Sequence, residues 1–223
     1  MKYIRQTSKE ITSNFFSELL RDRRILDELS VEEQKQFFHP TKKNELNPNL
    51  LDNVEEGYQM LKKHLNPAHQ IYLVVDSDVD GFTSSALVYN YLKENLSDVC
   101  PEIFYHIPEG KEHGLATLLS WFPEDGTDKL IICPDSSSND YTEHAKLKRR
   151  GYDILVLDHH EAPRYSPDAV VINNQLSSNY PNKDLSGVGV VYKFLEYFEQ
   201  REERPSISEN YIDLVALGMN WSC

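Results

Sequence analysis

With 223 residues the chain has length for one large or two small domains with a proper core, and no run of it approaches a membrane span, which excludes a membrane-embedded class. Its formal net charge of −13 sets it against a bare phosphate backbone unless cations or a local basic patch intervene. Cys100, Cys133 and Cys223 lack ligand spacing and form an odd set, which argues against a disulfide framework or a zinc site. The start Met1-Lys2-Tyr3-Ile4-Arg5 has no apolar signal core, so the expected location is the cytoplasm.

In chain order, Phe15, Phe16, Leu19, Leu20, Ile25, Leu26 and Leu29 recur at helix spacing, and Ser30-Val31-Glu32-Glu33 reads as a capping box opening the next helix. A turn-rich connector follows from His39-Pro40 to Pro48-Asn49. The expected domains are therefore residues 1–50, a helical segment with its connector, and residues 51–223. In the second, Leu51, Val54, Tyr58, Leu61 and Leu65 share one helical face. Strands are predicted at 71–76, 102–107, 129–134, 153–158 and 169–173, and helices at 82–96, 114–121, 139–150 and 187–201. This alternation predicts an α/β fold: a doubly wound, mainly parallel sheet of about five strands with helices on both faces. Gly151 stands where a helix C-terminal glycine belongs. The basic runs Arg21-Asp22-Arg23-Arg24 and Lys146-Leu147-Lys148-Arg149-Arg150 suit solvated helix faces or ends.

Chemistry concentrates at strand ends. Asp76-Ser77-Asp78-Val79-Asp80-Gly81 follows the apolar run Ile71–Val75, Asp135 follows Leu130–Pro134, and Asp158-His159-His160 follows Ile154–Leu157. Clustered carboxylates need a cation between them, and oxygen-rich sets select Mg²⁺ or Mn²⁺, with imidazole favouring Mn²⁺. Ligands of open α/β sheets bind outside the carboxyl ends of the strands, so the three stretches are expected to form one split metal site. A calcium loop is disfavoured because Leu87 stands where its bidentate Glu belongs. Ser186-Gly187-Val188-Gly189 places glycines at a helix mouth, suited either to a phosphate or to close helix packing.

These residues resemble the DHH phosphoesterase superfamily and, within it, the RecJ-like single-strand exonucleases. The resemblance runs through Val75–Ser84, Asp135, Leu157–Glu161, Ser186–Gly189 and Leu214–Gly218, and covers roughly residues 38–218. His106–Leu115 also resembles the family's loop after its second strand, with Lys111 and His113 standing near the usual Arg and Gly-Tyr-Gly. The resemblance implies that Asp78 and Asp80 hold metal with Asp76 as ligand or support, that Asp135 bridges two ions and that His159 ligates the second. It further implies that Asp158 orients the histidines, that His160 faces the scissile phosphate, and that Ser186, Gly187, Gly189, His113 and Lys111 meet substrate phosphate.

The implied activity is Mn²⁺- or Mg²⁺-dependent, two-metal phosphodiester hydrolysis on single-stranded DNA or short oligonucleotides, as in 5'-3' exonucleases. A catalytically silent binding or regulatory relative is the alternative, as is a phosphoesterase for short oligonucleotides or cyclic dinucleotides. Two departures from the family stand out: Ser222 lies near the position of an expected metal-binding acid, and a strand-gripping C-terminal domain does not follow. The expectation is an apparently truncated domain, slow and distributive alone, with a second polypeptide as the possible source of the rest.

Overall fold

The computed structural model describes Leu20, residues 29–110 and residues 113–221. The expected helical run through Phe15, Phe16, Leu19, Ile25 and Leu26 lies outside the described residues, as do Lys111, Ser222 and Cys223. The chain separates into two compact units, residues 1–46 and 47–223. In the first, α1 (Val31–Phe38) opens on the predicted capping box. The Ser30 N–H donates to Glu33 Oε2 at 2.7 Å and the Glu33 N–H to Ser30 Oγ at 3.3 Å.

The second unit holds α2 (Val54–His64), β1 (Gln70–Val74), α3 (Val79–Asn95), β2 (Glu102–His106), β3 (Lys129–Pro134), α4 (Tyr141–Arg149), β4 (Asp153–Asp158), β5 (Val170–Asn173), α5 (Gly187–Arg201) and α6 (Ile212–Trp221). The five strands form one sheet in the order β2-β1-β3-β4-β5, every pair parallel. Alternation along the strands separates two apolar faces. Tyr72, Ile131, Cys133, Ile154 and Val156 meet Leu147 of α4 and the segment carrying Leu115, Leu118 and Phe122. Their neighbours Ile71, Leu73, Leu130, Ile132, Leu155, Leu157 and Ile172 are buried as well. Helix α2 lies over that second face, since a Cβ on Gly57 would come within 2.6 Å of Ile172 and 3.2 Å of Leu155. Helix α5 packs on β3 and β4, and α3, α5 and α6 pack on one another.

Two predicted boundaries shift and one predicted helix does not form, each for a local reason. Strand β1 stops at Val74, so Asp76 stands free of the ladder. Helix α3 begins at Val79, three residues early, because Asp78 is its N-cap and accepts the Gly81 N–H at 2.9 Å. The helix predicted at 114–121 is instead a series of turns. There Gly114 has φ +67° and the Leu115 N–H is drawn to Asp140 Oδ2 at 2.7 Å, while Trp121 and Phe122 wedge against Tyr72. Gly151 ends α4 with φ +97°, as predicted.

At the amino end of β4, Asp153 accepts hydrogen bonds from Lys63 at 2.7 Å and Lys148 at 3.0 Å, and His64 Nε2 lies 3.0 Å from the same carboxylate. The His64 contact above all, then the two lysines, hold the Asp153 carboxyl far below the usual range despite its partial burial. An acid depressed in the folded state contributes stability that is present above the unfolded value of roughly 4 and lost as pH falls through the folded one. Asp153→Asn is therefore expected to cost about 1–3 kcal/mol at pH 7 and progressively less below pH 4. Urea denaturation at both pH values checks this, and an equal loss at each would show that charge is not the cause.

Candidate metal centre

In the order β2-β1-β3-β4-β5, connections leave β1 and β3 in opposite directions, so a crevice opens between their carboxyl ends. Asp76 follows β1, Asp135 follows β3, and Asp158 closes β4 beside them. They line an open cleft of about 640 Å³ together with His113, Ser136, Ser137, Asp140 and His160.

Two sets of three ligands occur among the described residues, and in each the donor atoms lie within 4.8 Å of one another: Asp76, Asp78 and Asp135, and Asp135, His159 and His160. Asp135 belongs to both. Its backbone is left-handed at φ +59°, a conformation costly for a side-chain-bearing residue. Both of its carboxylate oxygens are buried and accept no hydrogen bond, although His159 Nε2 lies 3.2 Å from one of them. Burial, and then the charges of Asp80, Asp158 and Asp78, push its pKa up to about 10. A buried carboxylate without donors, among other acids and an imidazole, fits a divalent cation of the Mn²⁺ or Mg²⁺ type.

The histidine pair is set by Asp158, which is fully buried. Its Oδ1 accepts the N–H groups of His159 at 2.7 Å and His160 at 3.2 Å and pairs with His160 Nδ1 at 2.8 Å, while Oδ2 accepts the Ser138 N–H at 3.0 Å. Burial alone would raise the Asp158 pKa, but these contacts, His160 first, bring it down to about 2. The Asp158 bond correspondingly raises the His160 pKa to about 9 against partial burial, which favours its protonated form. Asn173, at the end of β5, donates to the His160 carbonyl at 2.9 Å and to Ser138 Oγ at 2.8 Å, tying the two loops together. Sequence reasoning missed Asn173, although a polar residue closing an apolar strand was a signal.

Other expected residues take different places. Asp80 is buried in the first turn of α3, and its carboxylate accepts the Gly187 and Val188 N–H groups, each at 2.8 Å. The donors at the mouth of α5 that were expected to meet a phosphate are thus taken by Asp80. The Ser186 hydroxyl caps α5 by accepting the Gly189 N–H at 3.3 Å. Close packing explains both glycines: a Cβ on Gly187 would fall 2.1 Å from Asp135 Oδ1, and one on Gly189 2.5 Å from Leu185 Cδ1. His113, expected at phosphate, pairs through Nδ1 with the Asp76 carboxylate at 2.9 and 3.1 Å. Burial raises the Asp76 pKa and the His113 bond partly offsets this.

The model of the DHH family's N-terminal domain matches residues 70–219, and the chain belongs to the DHH family. YorK of the SPbeta prophage of Bacillus subtilis (strain 168), named for a single-strand DNA-specific exonuclease activity, is 39% identical over 196 residues, covering 87% of this chain and 32% of that protein. The single-stranded-DNA-specific exonuclease RecJ of Haemophilus influenzae is 33% identical over 192 residues, covering 80% of this chain and 32% of that one. The chain thus spans about a third of the length of these relatives. A crystal structure of RecJ from Thermus thermophilus in complex with Mn²⁺ shares the fold, with TM-score 0.62 and 23% identity over 75% of this chain and 24% of that one.

Proposed function

We propose that the chain is a metal-dependent phosphodiesterase module hydrolysing single-stranded DNA or short oligonucleotides in the cytoplasm, with the 5'-3' exonucleolytic direction that the resemblance implies. The observation that carries this reading is Asp135: one buried carboxylate, without hydrogen-bond donors, common to two ligand triads at the strand switch. The names of YorK and RecJ, each given as a single-strand DNA-specific exonuclease, support the substrate. The Mn²⁺ held by the Thermus RecJ supports the cofactor, Mn²⁺ or Mg²⁺.

In this reading Asp76, Asp78 and Asp135 hold one ion, and Asp135 with His159 holds a second. When bound, such ions polarise a phosphoryl oxygen and lower the pKa of a coordinated water. The chain's own groups do the remaining work. Asp158 keeps the Nδ1 proton of His160 in place at 2.8 Å, which fixes the imidazolium at the cleft. That cation offsets phosphate charge in a cleft otherwise lined by acids, and its Nε2 proton is available to the departing oxygen. Asp80 anchors α5 behind Asp135 and so holds the crevice open at a fixed width.

Labelled single strands incubated with the purified chain and Mn²⁺, Mg²⁺ or EDTA test this. Release of nucleotides that depends on metal and is faster with Mn²⁺ is the expected result, reduced at least about 100-fold in Asp158→Ala, His160→Ala. Millimolar Mn²⁺ should also raise the melting midpoint, since it binds only the folded state. Metal binding without cleavage of any phosphoester would instead favour a silent binding relative.

A further inference from the structure

A second cleft, of about 300 Å³, runs along the outer side of α3. Leu73 and Val75 form its floor, Phe82, Ala86 and Tyr89 line one wall at helical spacing, and Tyr105 of the edge strand β2 with Ile107 just past its end lines the other. Phe82, Tyr105 and Ile107 are 44%, 54% and 55% exposed. Tyr89 and Tyr105 meet edge to face, with ring centroids 5.8 Å apart. Later in the connection from β2 to β3, Trp121 and Phe122 pack on Tyr72, on the opposite face of the sheet. No charged side chain stands among the described residues that line it.

We propose that this groove is a subsite for an unpaired nucleobase of the strand whose phosphodiester lies at the acid cluster, an inference that rests on the phosphodiesterase reading above. The two clefts are neighbours along the chain: Val75 of the groove precedes Asp76 of the metal triad, and Phe82 stands about one helical turn beyond the Asp78 cap. A cation-binding cluster beside an uncharged aromatic slot reproduces the order of a nucleotide, charged phosphate next to flat base. Ser85 adds a buried hydroxyl without a hydrogen-bond partner to the groove lining, a polar point for a base edge.

Charge supports the same assignment. The chain carries −13, and no Lys or Arg stands among the described residues lining the acid cleft, so its electrostatic hold on a strand is left to the bound ions and His160. Stacking supplies affinity without cations and tolerates any sequence. It also selects single strands, because the bases of a duplex have no free face to offer.

The test compares a short labelled single strand with one of equal length whose sugars carry no bases, by fluorescence anisotropy with the full chain in Mn²⁺. The base-bearing strand should bind about tenfold tighter. In Phe82→Ala, Tyr105→Ala that advantage should vanish, while affinity for the base-free strand and the melting shift caused by Mn²⁺ stay unchanged. Equal binding of the two strands by the unsubstituted chain would overturn the proposal, as would an undiminished preference in the double variant, which would mark the groove as a surface for something else. Absence of Mn²⁺-dependent binding of either strand is a different pattern: it overturns the phosphodiesterase reading and the groove assignment with it.

Discussion

Asp135→Asn is expected to raise the stability of the metal-free chain while lowering its metal-dependent hydrolysis by at least about a hundredfold. The first effect follows from the burial of Asp135 without hydrogen-bond donors, with a pKa pushed up to about 10 by desolvation and by neighbouring acids. An acid whose folded pKa is raised contributes its full stability below the unfolded value of roughly 4 and loses it as pH climbs toward the folded value. At pH 8 the native chain thus bears most of this loss, and an amide, which can donate to the surrounding carboxylates, removes it. We expect a gain of about 1–3 kcal/mol at pH 8, equivalent to a few degrees of melting midpoint, and a smaller gain at pH 5. The second effect follows from Asp135 belonging to both triads. Mn²⁺ should raise the midpoint of the native chain and leave that of Asp135→Asn almost still, with Asp76→Asn in between because Asp76 serves one triad. Melts in EDTA and in Mn²⁺ at the two pH values measure all of this. A lower midpoint for Asp135→Asn in EDTA would mean that the carboxylate is held by donors and is no metal-seeking group.

Most of the sheet was legible because buried parallel strands read as continuous β-branched and leucine runs that end abruptly in acids. The carboxyl end of each strand is what carries Asp76, Asp135 and Asp158, so the order of elements and the location of the centre came together. Contacts distant in sequence were not legible. Nothing in Asp78-Val79-Asp80 tells that its third residue caps a helix beginning 107 positions later, and a glycine at a helix mouth reads alike whether it admits a phosphate or a carboxylate of its own chain. The segment 114–121 has helix-compatible residues, but its backbone follows tertiary demands: Asp140 takes the Leu115 N–H and the aromatic cluster around Tyr72 takes Trp121. The left-handed turn of Asp135 likewise has no local marker, because it is imposed by the strand behind it, whose Leu157 carbonyl accepts the Asp135 N–H at 2.8 Å.

Asp80 and Asp78, two residues apart and assigned one role by resemblance, are expected to separate under mutation. Each Asp80 oxygen accepts one N–H from the first turn of α5, a pair of hydrogen bonds at the positive end of a helix that packs on the sheet. Asparagine keeps one acceptor and turns an amide donor toward the other N–H, so Asp80→Asn should cost about 2–4 kcal/mol with or without metal. It should also loosen the crevice, since α5 carries Gly187 directly against Asp135. Asp78 is exposed and caps α3, a task asparagine performs equally well. Asp78→Asn should therefore leave stability in EDTA within about 0.5 kcal/mol while weakening Mn²⁺, because a triad of carboxylates loses one of its charges. Urea denaturation in EDTA paired with a Mn²⁺ titration resolves the two. Equal destabilisation by both variants would return Asp80 to the role of a simple ligand, whereas the expected split makes it the link through which a helix end far along the chain is bound to the metal centre.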